Sequence, residues 1–549
     1  MTTKSKRRSY DARQGIVDSI VATRVSSRYI SDNRHLKRYL RQYFQNVPYE
    51  DLAGRSEAIM ARIAVEHLEF GAVRRRGQAL LRIYNTTEKT HGYSSMFTFV
   101  EMVNDDMPFL VNSVTAAINR HGLAVQITVH PIISVRRDSK GKLTGITDAD
   151  DDEAIRESYI RFAITREADE QELRKLRQEI NKVLSDVRVA VRDWGKMRAA
   201  MRETRELLVN GPKGADPLLR TESQALLDWM VDEHFTFLGY REYRVVRKGK
   251  ATFLEAIPDT GLGVLSHKSS MHKPVELTST MQRLRRSRDW LILTKANSRS
   301  TVHRSALLDY VGVKIYDDDG NVIGERRFIG LLTSIAYSES PTKIPLLRHK
   351  VQRIFKHAGV SESGHRGKAL LHIIETYPRE ELFQSTVRDL TRTTIGILNL
   401  QERQRVKLFL RRDAFRRFFS CLVYVPRDKY TTEVRHKIES VLKSAFNGTS
   451  VETAVQISDS ALARVHIVVR TPDATATVTG TRFCVAAADD RATRVHVLEG
   501  RVEVRYGDGP TRVVRGGFGV AGPETAPAPL PAPPLPTLAE ARAAMQQDG

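Results

Sequence analysis

Met96-Phe-Thr-Phe-Val-Glu-Met-Val103, followed by Asn104-Asp-Asp106 and the run Phe109–Arg120, decides how this chain is read. The first stretch has the β-branched and aromatic content of a strand. Asn104-Asp105-Asp106 is a turn that can cap a helix, and Pro108 stands where a first-turn proline is tolerated. Leu110, Val114, Ala117 and Ile118 fall on one helical face, and His121-Gly122 stops the helix. Leu123–Val129 reads as the next strand and leads to Ile132–Val135. Asp138–Asp152 is an acidic loop, Tyr159–Ile164 a third strand and Glu170–Leu184 a charged amphipathic helix. The order βαββα predicts a ferredoxin-like sandwich.

The pattern recurs further on. Phe418–Val425 is a strand, Pro426–Thr431 a capped turn, Glu433–Phe446 a helix, and Val451–Ile457 and Leu462–Val469 are strands. A further helix and a closing strand are expected after it. Instead, composition changes at Arg470–Pro472: residues 471–549 contain no lysine, 8 Arg and 9 Asp/Glu. The expectation is therefore a truncated module with an open sheet edge, whose 462–469 side chains lack part of their helical cover.

Between the two patterns, Ser223–Glu233 reads as a helix, and Phe235–Val246 and Ala251–Ile257 as a strand pair. Trp290–Thr294 and Thr301–Arg304 read as strands. Val311–Tyr316 and Val322–Leu332 flank the turn Asp317–Asn321. Pro345–Ala358 is predicted helical, a strand is expected at Leu370, and Glu380–Arg412 is predicted as one long charged helix. Leu36, Leu40, Tyr43, Leu52, Ile59 and Ile63 give Asp32–Glu66 a helical period, and residues 1–30 read as a loose or helical arm. Residues 473–522 look all-β with regular glycine turns; 523–536 is Pro/Ala-rich, and Leu538–Gln547 a short helix.

Of the net charge of +22, the first 470 residues carry +23 and the remainder −1. A basic surface draws polyanions. No zinc-finger, RNP or recognition-helix pattern accompanies it, and the cations alternate with acids on helical faces. No nucleic-acid partner is expected. No apolar run nears the ~20 residues that span a bilayer, so no membrane partner is expected either. The basic start lacks a signal's apolar stretch, and two cysteines build no disulfide framework; the cytoplasm is the expected compartment.

No catalytic, cofactor or metal residues are assigned. Gly517-x-Gly519-x-x-Gly522 has the dinucleotide spacing, but Pro523 follows where the pyrophosphate-binding helix should start. Gly261-x-Gly263 and Gly364–Ala369 are weaker matches. His234 and His303 read as hydrogen-bonded core residues, and Arg283–Arg288 as a solvated basic face. The candidate functional residues are Asn104, Asp105, Asp106, Met107, Pro108 and Phe109. A strand-to-helix turn offers backbone N–H groups to a carboxylate. Two readings stand: an amino-acid site, or a structural turn forming an interface with another copy or module, with Val100 and Val114 on that interface.

Residues 1–470 resemble the amino-terminal region of the large NAD-specific glutamate dehydrogenases of bacteria. The likeness rests on Phe99–Val114, His234–Arg241, Gly261–Leu265, Ile344–Arg348, Tyr377–Gln384 and Phe419–Asp428. It implies ACT-like and helical modules that sense amino acids or build homo-oligomers. NAD would serve the complete family enzyme, whose catalytic core has no counterpart in 471–549. Residues 471–522 are similar to a FecR-type domain through Thr471–Thr475, Val478–Phe483, Val497–Val504 and Arg515–Gly517.

The resulting expectation is a multidomain α+β protein. Its parts are an arm and helices (1–90), a first ACT-like domain (91–200), a middle α+β domain (201–345), a helical linker (346–411), a second, truncated ACT-like domain (412–470), a FecR-like β domain (471–522) and a tail (523–549). The expected role is regulation and oligomerisation in a glutamate dehydrogenase. The alternative is a cytoplasmic signalling or binding module built on the FecR-like domain.

Overall fold

A computed structural model describes residues 3–515 apart from 31, 149–150, 210, 213, 268–273, 278–281, 283–286, 288, 401–402, 404, 459, 472–473, 488–492 and 507–511; for 3–10 and 474–515 it describes the backbone alone. The basic cluster at Arg283–Arg288, the glycine motif at 517–522 and the tail lie mostly or wholly outside the described residues. The chain divides into two units, one of residues 1–211, 230–275 and 290–336, the other of 212–229, 276–289 and 337–549. Mixed helix and sheet in several separate sheets makes this an α+β multidomain protein.

The first unit opens with helices α1 (Thr3–Ala22), α2 (Asn33–Phe44), α3 (Tyr49–Leu52) and α4 (Glu57–Phe70). Strand β1 (Leu80–Asn85), short helix α5 (Glu88–His91), β2 (Phe97–Asp105), α6 (Leu110–Arg120), β3 (Val125–Val129), β4 (Ile132–Arg137), β5 (Leu143–Ile146), β6 (Ile155–Thr165) and α7 (Glu170–Glu206) follow. The sheet runs β1-β2-β6-β4-β5, with β3 also pairing with β6. Strand alternation sorts its two faces. Val100, Met102, Ile160, Phe162 and Ile164 pack against α6 and α7. Val103 and Tyr159 pack against α1, α2 and α4. Helix α7 continues well past Leu184, because Val187, Ala190, Met197 and Met201 keep its buried stripe going.

A second sheet in this unit contains β7 (Phe235–Lys248), β8 (Ala251–Ala256), β9 (Leu262–Gly263), β10 (Val275–Glu276), β11 (Leu291–Arg299), β12 (Leu307–Tyr316) and β13 (Val322–Leu332). β13 pairs with both β7 and β12, and β11 with β12. Thr301–Arg304, expected as a strand, is the bend between β11 and β12. There the Ser300 Oγ donates to the Val302 carbonyl, satisfying locally what a ladder would otherwise take up.

The second unit contains helices α8 (Pro217–Trp229), α9 (Leu347–Ala358), α10 (His365–Thr376), α11 (Arg379–Gln384) and α12 (Val387–Leu398). Leu370 therefore lies in a helix, not a strand. The single helix expected over Glu380–Arg412 is α11, α12 and a strand, β14 (Lys407–Arg412). Thr386 starts α12 afresh, its Oγ1 accepting from the Asp389 N–H at 3.1 Å. The charged residues hid a strand: β14 pairs along its whole length with β15 (Phe418–Pro426).

Helix α13 (Thr432–Ala445), β16 (Ser450–Gln456) and β17 (Leu462–Arg470) complete the second module, with sheet order β14-β15-β17-β16. The edge beside β15 is held by β14, which precedes the repeated pattern in the chain. β1 does the same beside β2. The 462–469 side chains are not bare: Val465, Ile467 and Val469 are fully buried with Ile438, Leu442 and Phe446 of the α13 segment. Beyond them β18 (Ala474–Ala487), β19 (Thr493–Tyr506) and β20 (Arg512–Arg515) form a three-stranded antiparallel meander. No described helix is long and apolar enough to cross a membrane.

Candidate functional site

Asn104 and Asp105 close β2 and are taken up by arginines. The buried Asn104 amide oxygen accepts from Arg188 of α7, and its NH2 donates to the Asp105 carbonyl at 3.1 Å. Asp105 accepts from Arg74 at 2.7 Å, Arg188 at 2.5 Å and the Gly77 N–H at 3.0 Å. Burial alone would raise its carboxyl pKa; the two arginines outweigh that and lower it. Arg74 also reaches Glu157 at 2.7 Å, which Arg137 grips through both oxygens at 2.7 Å.

The rest of the turn holds its neighbours. The Asp106 carboxylate accepts from Ser158 Oγ at 2.8 Å, and its N–H donates to the Arg156 carbonyl at 3.0 Å. Met107 packs on the core, while Pro108 is exposed. Phe109 starts α6 with φ 73°, a left-handed conformation that costs a non-glycine residue roughly 1–3 kcal/mol. Its ring lies 5.2 Å from that of His303, and the backbone N–H of His303 donates to Ser113 Oγ at 2.8 Å. Burial, then Arg304, lowers the His303 pKa. The turn thus docks the 300–305 bend of the same unit. Val100 and Val114, expected on an interface, are fully buried in the module's own core between sheet and helices.

A second constellation was not anticipated. Register places Arg82 of β1, Glu101 of β2 and Arg161 of β6 side by side across three strands. Glu101 accepts from Arg82 at 2.6 Å, from Arg161 at 2.9 Å and from the Tyr84 hydroxyl at 3.0 Å. Arg161 also donates to the Tyr93 hydroxyl at 3.2 Å and lies 4.0 Å over the Phe99 ring. Burial would raise the Glu101 carboxyl; the positive charges of protonated His67, Arg161 and Arg82, in that order, bring it down to about 2. His67 accepts at Nδ1 from Tyr43 (3.0 Å) and donates from Nε2 to the Met102 carbonyl (3.2 Å). Burial lowers it to about 4, so it is neutral near pH 7. Two guanidiniums therefore share one carboxylate. The signal in sequence was Glu101, the one charged residue in the strand-like run Phe97–Val103.

Among the described residues no cluster of His, Cys, Asp and Glu could hold a metal ion. Neither constellation supplies a nucleophile–base pair, and both join arginines to carboxylates already engaged.

Family models match three successive stretches: the glutamate dehydrogenase ACT1 domain at residues 39–180, helical motif 1 at 344–403 and the ACT2 domain at 407–486. The chain is 35% identical over 438 residues to the NAD-specific glutamate dehydrogenase of Halomonas elongata, covering 78% of this chain and 27% of that protein. It is 37% identical over 399 residues to that of Pseudomonas aeruginosa, covering 72% and 25%. It is 29% identical over 410 residues to that of Mycobacterium tuberculosis, covering 74% and 24%. The chain thus spans about a quarter of the length of these relatives. Matches to ACT1, helical motif 1 and ACT2 in that order, together with the strand order shared by the two matched sheets, support the glutamate dehydrogenase family.

Proposed function

We propose that residues 39–486 form a regulatory and assembly region of a NAD-dependent glutamate dehydrogenase, with the conversion of glutamate, NAD and water to 2-oxoglutarate, ammonia and NADH left to sequence outside these modules. The observation carrying this reading is the repeated strand order, β1-β2-β6-β4 and β14-β15-β17-β16. Both are helix-backed sheets whose buried carboxylates Glu101, Glu157 and Glu381 are held by arginines, which suits positioning rather than bond making. The Asn104–Phe109 turn serves as a docking element, its carboxylates engaged by Arg74, Arg188 and Ser158. An amino-acid effector held by the backbone of that turn is the finer form of the proposal. Partners are further copies of the chain, with neither nucleic acid nor membrane, and the setting is the cytoplasm.

Purified chain should yield no NADH from glutamate and NAD and bind no NAD at micromolar levels, while sedimenting as more than a monomer. NADH production would overturn the first half, and a monomer the second. The alternative, a signalling or binding role for the FecR-like segment, has the β18–β20 meander in its favour. Deleting 487–549, which leaves 39–486 whole and removes β19 and β20, distinguishes the two: the regulatory reading keeps the oligomer, and the alternative loses its binding element.

A further inference from the structure

The face of the first sheet that carries Glu101 and Arg161 does not close completely against the N-terminal helices. A cavity of about 330 Å³ remains between them. It lies on the side opposite α6, and so apart from the Asn104–Phe109 turn. Phe44, Val47, Met60, Ile63, Phe97 and Ile127 give it apolar walls. Ile59, 39% exposed, stands at its rim. The volume falls within the range of small-molecule sites, which pair apolar walls with a few fixed polar groups.

The polar group here is Arg161, 6% exposed. Of the five N–H groups on a guanidinium, it uses one toward Glu101 and one toward Tyr93. Glu101 is shared with Arg82, whose side chain is 32% exposed, so the row carries one more cation than anion. Asp51 and Arg55 are the other charged lining residues. An anion in the cavity would meet spare donors and the unbalanced positive charge. A cation deep inside would find Glu101 already occupied.

We propose that this cavity binds a small apolar monocarboxylate, with the carboxylate on Arg161 and the hydrocarbon body against Phe44, Met60 and Ile63. Charge-assisted hydrogen bonds to carboxylate are about twice as strong as neutral ones. The acid should therefore outbind its uncharged isostere by roughly tenfold or more.

Calorimetric titration of the full chain with octanoate, octanamide and leucine tests this. Expected are saturable octanoate binding, octanamide weaker by about tenfold, and leucine weaker still because its ammonium has no free partner at depth. Ile59→Trp at the rim, and separately Ile63→Trp in the wall, should abolish octanoate binding without lowering the melting temperature. Equal affinity for octanoate and octanamide, leucine displacing bound octanoate as readily as a second acid of its size, absence of saturable octanoate binding, or undiminished binding in a folded Ile59→Trp chain would each overturn the proposal. None of these outcomes depends on dehydrogenase activity or oligomeric state, so failure here is distinct from failure of the regulatory reading.

Discussion

The two modules share one wiring and differ in what lies along the same row of the sheet. In the first, Val100 and Met102 of β2 face the module's own helices, and Glu101 between them faces the other way. In the second, Cys421 and Val423 of β15 face α13, and Leu422 takes the place of Glu101. The row Arg82–Glu101–Arg161 is accordingly matched by Phe409–Leu422–His466. The second module is not without buried charge. Arg411 of β14 grips Glu381 of α11 through two contacts of 2.6 Å. One module thus ties strand to strand with an ionic row, and the other ties sheet to helix with a single bidentate pair. The topology tolerates either, because strand order is set by backbone pairing and apolar faces, while the site of the ion pair depends on what covers the second face.

Removing one member of each buried ionic group should have the largest effect, and the damage should differ in place. Glu101→Leu leaves Arg82 and Arg161 without a carboxylate and should cost about 3–5 kcal/mol. Hydrogen exchange should accelerate across 97–105 and 155–165. Adding Arg82→Phe and Arg161→His, which imports the row of the second module, should restore most of the loss. Glu381→Leu should instead accelerate exchange in 379–384. If the triple variant is as unstable as Glu101→Leu alone, the row is not interchangeable and the comparison breaks.

Acid sharpens it next. His67 has a folded pKa of about 4 against an ordinary 6.5, so the unfolded chain binds more protons between those values. Stability therefore falls as pH drops from 6.5 to about 4, by about 3 kcal/mol in all. Glu101, held at about 2, adds a loss from pH 4.5 downward. His67→Phe should flatten the upper window for the first module, read as exchange at 97–105 against pH. Burial likewise lowers His466 in the second module, so exchange at 462–470 should keep its own acid response in that variant. A response at 97–105 unchanged by His67→Phe would contradict the assignment.

The smallest effect concerns how each module starts its helix. Helix α13 is capped by Thr431, whose Oγ1 accepts from the Val434 N–H at 3.2 Å. Helix α6 begins at Phe109 with no side-chain cap. Thr431→Ala should cost about 1 kcal/mol, seen as faster exchange in the first turn of α13 alone. A loss spread over the whole second module would mean that the cap also carries tertiary contacts.

Sequence alone determined the local grammar of this protein: the strand at 97–103, the turn and helix after it, their repetition from Phe418, and the hairpin at Asp317–Asn321. Apolar period and turn chemistry are properties of neighbours along the chain, so they can be read from it. The tertiary structure decided whatever depends on partners far apart. Strands β1 and β14 exist because β2 and β15 offer them an edge, and the charged text around them reads as loop or helix. Phe109 packs on His303 and Val114 lies in the core between sheet and helices, contacts made by residues far away along the chain. Arg82, Glu101 and Arg161 become a constellation only in register, because residues 19 and 60 apart meet at hydrogen-bonding distance once three strands pair.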